Sequence, residues 1–85
     1  MINVKCLGHI STSLGMKEVK LPDESIDAEE IVERLRALSA EAEPGFTKYN
    51  TLVMVEDGEA FVPAAAKRIV RSGQKVVLIP FSHGG

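Results

Sequence analysis

The amino-acid sequence predicts one α+β domain, in which a mixed sheet of four to five strands is covered by one main helix. Three observations predict it. Asp27 and Glu30 stand at capping-box spacing in front of an apolar stripe of helical period. The strand-like run at residues 75–79, Lys-Val-Val-Leu-Ile, is apolar on both faces through 76–79, the pattern of a strand buried in mid-sheet. Ile2, Val4 and Cys6 alternate with Asn3 and Lys5, the period of a half-buried strand.

The first strand leads into residues 8–15, Gly-His-Ile-Ser-Thr-Ser-Leu-Gly, which read as a glycine-bounded connection. Val19 and Leu21 alternate with Glu18 and Lys20 in a second strand, which Pro22 ends and which is placed to form a hairpin with the first. The main helix follows. Asp27 caps it, Ile26 and Ile31 flank the cap at staple spacing, and Glu29 and Glu30 place negative charge at the positive end of the helix dipole. Ala28, Ile31, Val32, Leu35 and Leu38 supply the apolar stripe, and Glu30 and Arg34 can pair at i,i+4. Pro44-Gly45 bounds the element, which gives a helix at about 28–41.

Residues 46–50 bridge to a third strand at 51–55, Thr-Leu-Val-Met-Val. Asp57-Gly58 is a tight-turn signal, after which Ala60-Phe61-Val62 pairs back. Pro63 and the run Ala64-Ala65-Ala66-Lys67-Arg68-Ile69-Val70 read as a short helix, with proline in its first turn and Gly73 near its end. The first and last strands are expected to be adjacent and parallel in the middle of the sheet. The domain is expected to span 1–80, with 81–85 as a flexible tail.

The chain's 85 residues make one small domain whose core is too small to enclose a deep cavity. No apolar run approaches the roughly 20 residues of a membrane span, and no basic-then-apolar leader opens the chain. A single cysteine, Cys6, excludes an internal disulfide and suits a reducing compartment, so a cytoplasmic location is expected. Residues 1–59 hold all 12 acidic side chains, whereas residues 60–85 hold Lys67, Arg68, Arg71 and Lys75 and no acid. The later part is thus locally positive and suited to steering an acidic protein or a nucleotide. Four bases without interleaved aromatics do not make a nucleic-acid surface.

The sequence holds no enzyme-like constellation. Cys6 falls on the inward side of its strand, where a free thiol behaves as a small hydrophobe. His9 and His83 are far apart and, with one cysteine, offer no zinc spacing. Ser11, Thr12 and Ser13 lack a glycine-rich phosphate motif with a following lysine. The helix carboxylates Glu29, Glu30, Glu33 and Glu41 are explained by capping and solvation. Phe81 is different: it follows Pro80, expected to interrupt strand pairing, and is suited either to anchor in a partner's pocket or to pack on its own sheet edge. Beyond it stand Ser82, His83 and the pair Gly84-Gly85. Two residues without side chains can thread a narrow active site and present a carboxylate there, while the plain alternative is a frayed end.

The helix after the second strand, the Asp57-Gly58 turn, the Ser72-Gly73-Gln74-Lys75-Val76 approach and the ending Leu78-Ile79-Pro80-Phe81-Ser82-His83-Gly84-Gly85 together resemble the MoaD/ThiS group of ubiquitin-like β-grasp proteins, including the archaeal small modifiers. Two features differ from that pattern. The turn before the last strand is Ser72-Gly73-Gln74 rather than acidic, and residues 59–72 read as more helical and basic.

The resemblance implies a non-enzymatic carrier, itself the substrate of an adenylyltransferase of the MoeB/ThiF type that uses ATP and magnesium. It implies adenylation and thiocarboxylation or conjugation at Gly85, with Gly84 supplying clearance. Pro80, Phe81, His83, Lys67, Arg68 and Arg71 become candidates for partner binding, and no metal or tightly held cofactor is expected. Sulfur delivery for molybdopterin, through a MoaE-like subunit, is the first expectation, and tRNA thiolation is a further destination. Conjugation to target lysines is the alternative within the class. A non-covalent interaction module is the alternative outside it.

Overall fold

The two-faced apolar run lies where its burial demands, in the centre of the sheet. A computed structural model of the chain describes residues 1–81. Strand β1 (Ile2–Cys6) is followed by a six-residue helix α1 (His9–Leu14), strand β2 (Glu18–Leu21), strand β3 (Ser25–Asp27) and helix α2 (Ala28–Leu38). Strands β4 (Thr51–Asp57), β5 (Ala60–Pro63), β6 (Ile69–Arg71) and β7 (Lys75–Pro80) complete the fold. The main sheet has the order β2-β1-β7-β4-β5, and β3 pairs with β6 in a separate two-stranded ribbon. β1 is antiparallel to β2 and parallel to β7, as expected, while β4 is antiparallel to both β7 and β5.

One face of the sheet packs on α2. Ile2, Val4, Val55, Val76 and Leu78 meet Ala28, Ile31, Val32 and Leu35 in a single core, all at most 1% exposed. The capping box forms only in its first half, with the Glu30 N–H donating to Asp27 Oδ1 at 2.8 Å. The helix ends at Leu38, three residues short of the expected bound. Ser39 adopts extended backbone and its hydroxyl donates to the Ser13 carbonyl at 3.0 Å, so a side-chain tie to α1 replaces another helical turn.

Two segments differ from expectation for identifiable reasons. The stretch at 8–15 is not merely a connection: Ile10, Ser13 and Leu14 are buried, and that burial holds the short helix α1 together. The short helix expected at 63–70 does not form. Eight residues cannot sustain an isolated helix, and this stretch satisfies other groups instead. The Ala66 and Arg68 carbonyls accept the Glu29 and Ala28 N–H groups, both at 2.9 Å, completing the cap of α2. Ile69–Arg71 then pairs with Ser25–Asp27.

Ion pairs fasten the loops to α2. Arg34 donates through Nη1 and Nη2 to the two carboxylate oxygens of Asp23 at 3.0 and 3.2 Å, and Lys48 pairs with Glu29. The hydrogen bond from Arg34 holds the Asp23 carboxyl below its ordinary range, and that from Lys48 does the same for Glu29. Because the folded chain then takes up these protons less readily than the unfolded one, the stabilisation is complete above the unfolded carboxylate pKa values and is lost as pH falls through the folded ones. Urea unfolding is therefore expected to show a stability plateau at neutral pH and a decline below about pH 4, which Asp23→Asn makes shallower.

Candidate functional site

The site is built on the exit of β7. Leu7 N–H donates to the Leu78 carbonyl at 3.1 Å, the last rung between β1 and β7. In a parallel ladder the next rung comes from the N–H of residue 80 to the Leu7 carbonyl. Pro80 has no N–H, and the Leu7 carbonyl accepts from Ile10 at 3.2 Å instead, which starts α1. Proline therefore frees β1 to turn away.

On its other side the strand continues. Pro80 stands opposite Thr51, and the Phe81 N–H donates to the Asn50 carbonyl at 2.9 Å. This corrects the expectation that Pro80 interrupts pairing: it removes one neighbour and leaves the other, because successive amides of a strand point to opposite sides.

Asn50 is itself fastened. Its side-chain oxygen accepts the Thr47 N–H at 2.7 Å, and its side-chain NH2 donates to the Gly45 carbonyl at 3.3 Å. Nothing in the sequence marked Asn50 as more than a loop residue, although Asn is a residue that organises turns through its side chain.

Phe81 is 42% exposed and forms one wall of a cleft of about 170 Å³, shared with Ala28, Glu29, Val32, Lys48 and Leu52. The ring thus lies against its own domain, as one of the two readings has it, and keeps an exposed edge. His83, Gly84 and Gly85 lie outside the described residues.

The sheet face turned away from α2 carries the other feature. Strand alternation and register put Glu18, Lys5, Val77, Met54 and Pro63 in one row across all five strands, with Ile79 beside Leu52 and Phe61 beside Glu56 in adjacent rows. Val77, Ile79, Leu52 and Met54 are only partly buried and Phe61 is exposed. An apolar centre edged by Lys5, Lys75, Glu18 and Glu56 is a surface suited to holding a protein partner. The two-faced apolar run of β4 was its signal in the sequence.

The basic candidates are dispersed among acids. Lys67 Nζ is 3.7 Å from Glu29, and Arg68 is 3.7 Å from Asp57. Arg71 closes β6, where its N–H is taken by the Gln74 side chain. The later part of the chain is therefore less positive in space than in sequence. Cys6 is buried and burial pushes its thiol up to about 11, so it stays protonated and inert at neutral pH. Among the described residues no group of three His, Cys, Asp or Glu side chains is placed to hold a metal, and no helix is long and apolar enough to cross a membrane.

No protein-family model and no curated protein matches the sequence. The structure does match a solved one. It is similar to SAMP1 from Haloferax volcanii, an archaeal ubiquitin-like small modifier, with a TM-score of 0.68 and 18% sequence identity over 99% of this chain and 98% of that one. A match over nearly the whole of both chains means that the two share one fold. The chain has the ubiquitin-like β-grasp fold.

Proposed function

We propose that this protein is a ubiquitin-like carrier whose reactive group is the carboxylate of Gly85. One observation carries the reading. The last strand is anchored in the centre of a β-grasp sheet, and past Pro80 it continues on one neighbour only, toward Gly84-Gly85. The apolar sheet face gives an activating enzyme something to hold, and two residues without side chains suit passage into its active site.

In the proposed reaction a carboxylate oxygen of Gly85 attacks the α-phosphorus of ATP held by a MoeB/ThiF-type adenylyltransferase with magnesium. The bond to the β-phosphate oxygen breaks, pyrophosphate leaves, and an acyl-adenylate remains. AMP is a far better leaving group than oxide, so the acyl carbon becomes attackable. Hydrosulfide-level sulfur displacing AMP gives a thiocarboxylate, able to pass sulfur to a molybdopterin precursor on a MoaE-like subunit or to tRNA. A target lysine amine displacing AMP gives an isopeptide bond and releases a proton. The similarity to a small modifier favours keeping this second outcome beside the first.

Incubation with a cognate adenylyltransferase, ATP, magnesium and either a sulfide donor or lysine-bearing target proteins, followed by intact-mass measurement, tests the proposal. A gain equal to one oxygen exchanged for sulfur supports sulfur carriage, and adducts on lysines support conjugation. An unchanged mass with an enzyme that binds the protein and is otherwise competent supports a non-covalent module.

A further inference from the structure

We propose that Gly8 is a positioning residue for the tail: the side chain it lacks sets the direction in which the chain leaves the sheet at Pro80. The proposal rests on the carrier reading for its consequence and on geometry for its cause. Parallel register places residue 8 beside residue 80, since Cys6 stands beside Leu78. A Cβ on residue 8 would lie 3.0 Å from Pro80 Cγ and 3.8 Å from Cδ. The neighbour is a pyrrolidine ring closed onto the backbone, so it cannot swing aside as the end of a flexible side chain can. Gly8 also has φ +56°, left-handed backbone that a side chain disfavours.

An added methyl must therefore push the end of β7, and the direction of yielding is set by pairing. At residue 80 the backbone rung to β1 is missing, while on the β4 side the Phe81 N–H donates to the Asn50 carbonyl. Asn50 is tied to Gly45 and Thr47 and does not follow freely. A shift of Pro80 is thus taken up at Phe81, the root of the segment that leads to Gly85. Gly8 on one flank and Asn50 on the other form a collar around that root. Most of the apolar sheet face, Met54, Val77 and Phe61, lies away from the exit of β7, so docking there is expected to survive when the collar is disturbed and the defect belongs in the catalytic step.

Gly8→Ala is expected to lower kcat for adenylation about tenfold, measured by pyrophosphate exchange with the cognate adenylyltransferase, with KM for the carrier nearly unchanged. It is also expected to lower Tm by about 5 °C through the strained φ. Adding Pro80→Ala removes the ring carbons that clash, so the double variant recovers kcat while retaining the loss in Tm. A merely structural role would move the two together. The Phe81 amide gives a second readout independent of the enzyme, because its hydrogen exchange should quicken in Gly8→Ala and slow again in the double variant. An unchanged kcat in Gly8→Ala, or a loss that Pro80→Ala does not relieve, overturns the proposal. If the unmodified protein is not adenylated at all, the carrier reading fails and the positioning role with it, while the Phe81 exchange still reports whether residue 8 controls the exit.

Discussion

Removal of Gly85 is expected to abolish adenylation, thiocarboxylation and conjugation together, with no change in Tm. The new carboxylate sits one residue back, about 3.5 Å short along an extended chain. A displacement of that size takes the nucleophile out of contact with the α-phosphorus, and misplacement by even about 1 Å can cost on the order of a hundredfold. Every fold contact described above lies within residues 1–81, so the loss of Gly85 removes none of them. Replacing Gly84 by Trp should have the same phenotype by a different cause, as a bulky side chain blocks passage while the carboxylate stays at its proper distance. Pyrophosphate exchange and thermal unfolding on the same samples check both halves. A truncated protein that is still adenylated at the wild-type rate would show that Gly85 is not the reactive residue.

Phe46→Ala is expected to have the opposite profile, disabling the fold and sparing the tail. Phe46 is 0% exposed and is the largest of the fully buried side chains. It belongs to no helix or strand, yet it is part of the buried core. Arg36 Nε donates to its carbonyl at 2.9 Å and fixes the loop over it. Truncation to alanine removes most of the ring and leaves a cavity, at a cost of about 3–5 kcal/mol. In a domain of this size each kcal/mol lowers Tm by about 4–8 °C, so a fall on the order of 15–30 °C is expected in thermal unfolding. Phe46→Leu, which keeps most of the volume, should lose much less. A Phe46→Ala protein as stable as the wild type would contradict the placement of this ring in the core.

These two variants mark where the sequence is informative and where it is not. Strands and the main helix were legible because their patterns are local. Ile2, Val4 and Cys6 alternate, Asp27 and Glu30 stand three apart, and residues 76–79 are apolar on both faces. From these the central, parallel placement of the last strand followed correctly. Phe46 was read as part of a bridge, because a single apolar residue after Pro44-Gly45 has no period to declare its burial. The run at 63–70 misled for a related reason. Its alanines and Pro63 favour a helix locally, but the carbonyls of Ala66 and Arg68 are claimed by the Glu29 and Ala28 N–H groups in the first turn of α2, a demand visible only in three dimensions.

Of the site, the tail was legible and its support was not. Gly84-Gly85 and Phe81 stand out in the linear sequence, and Pro80 stands out as a strand breaker. That Pro80 releases β1 while leaving β4 in place depends on which way its missing amide would point. That Gly8 matters depends on a parallel register between residues more than seventy positions apart. The expected concentration of positive charge was diluted by acids from the earlier part of the chain, with Glu29 and Asp57 facing Lys67 and Arg68.

The central claim is that the end of this chain is chemically activated. Intact-mass spectrometry after incubation with a cognate MoeB/ThiF-type adenylyltransferase, ATP, magnesium and a sulfur donor tests it most directly. The expected result is a mass gain equal to the replacement of one oxygen by sulfur, localised to Gly85 by fragmentation and absent without ATP. An unchanged mass in the presence of an adenylyltransferase that binds the protein and activates its other carriers would contradict it.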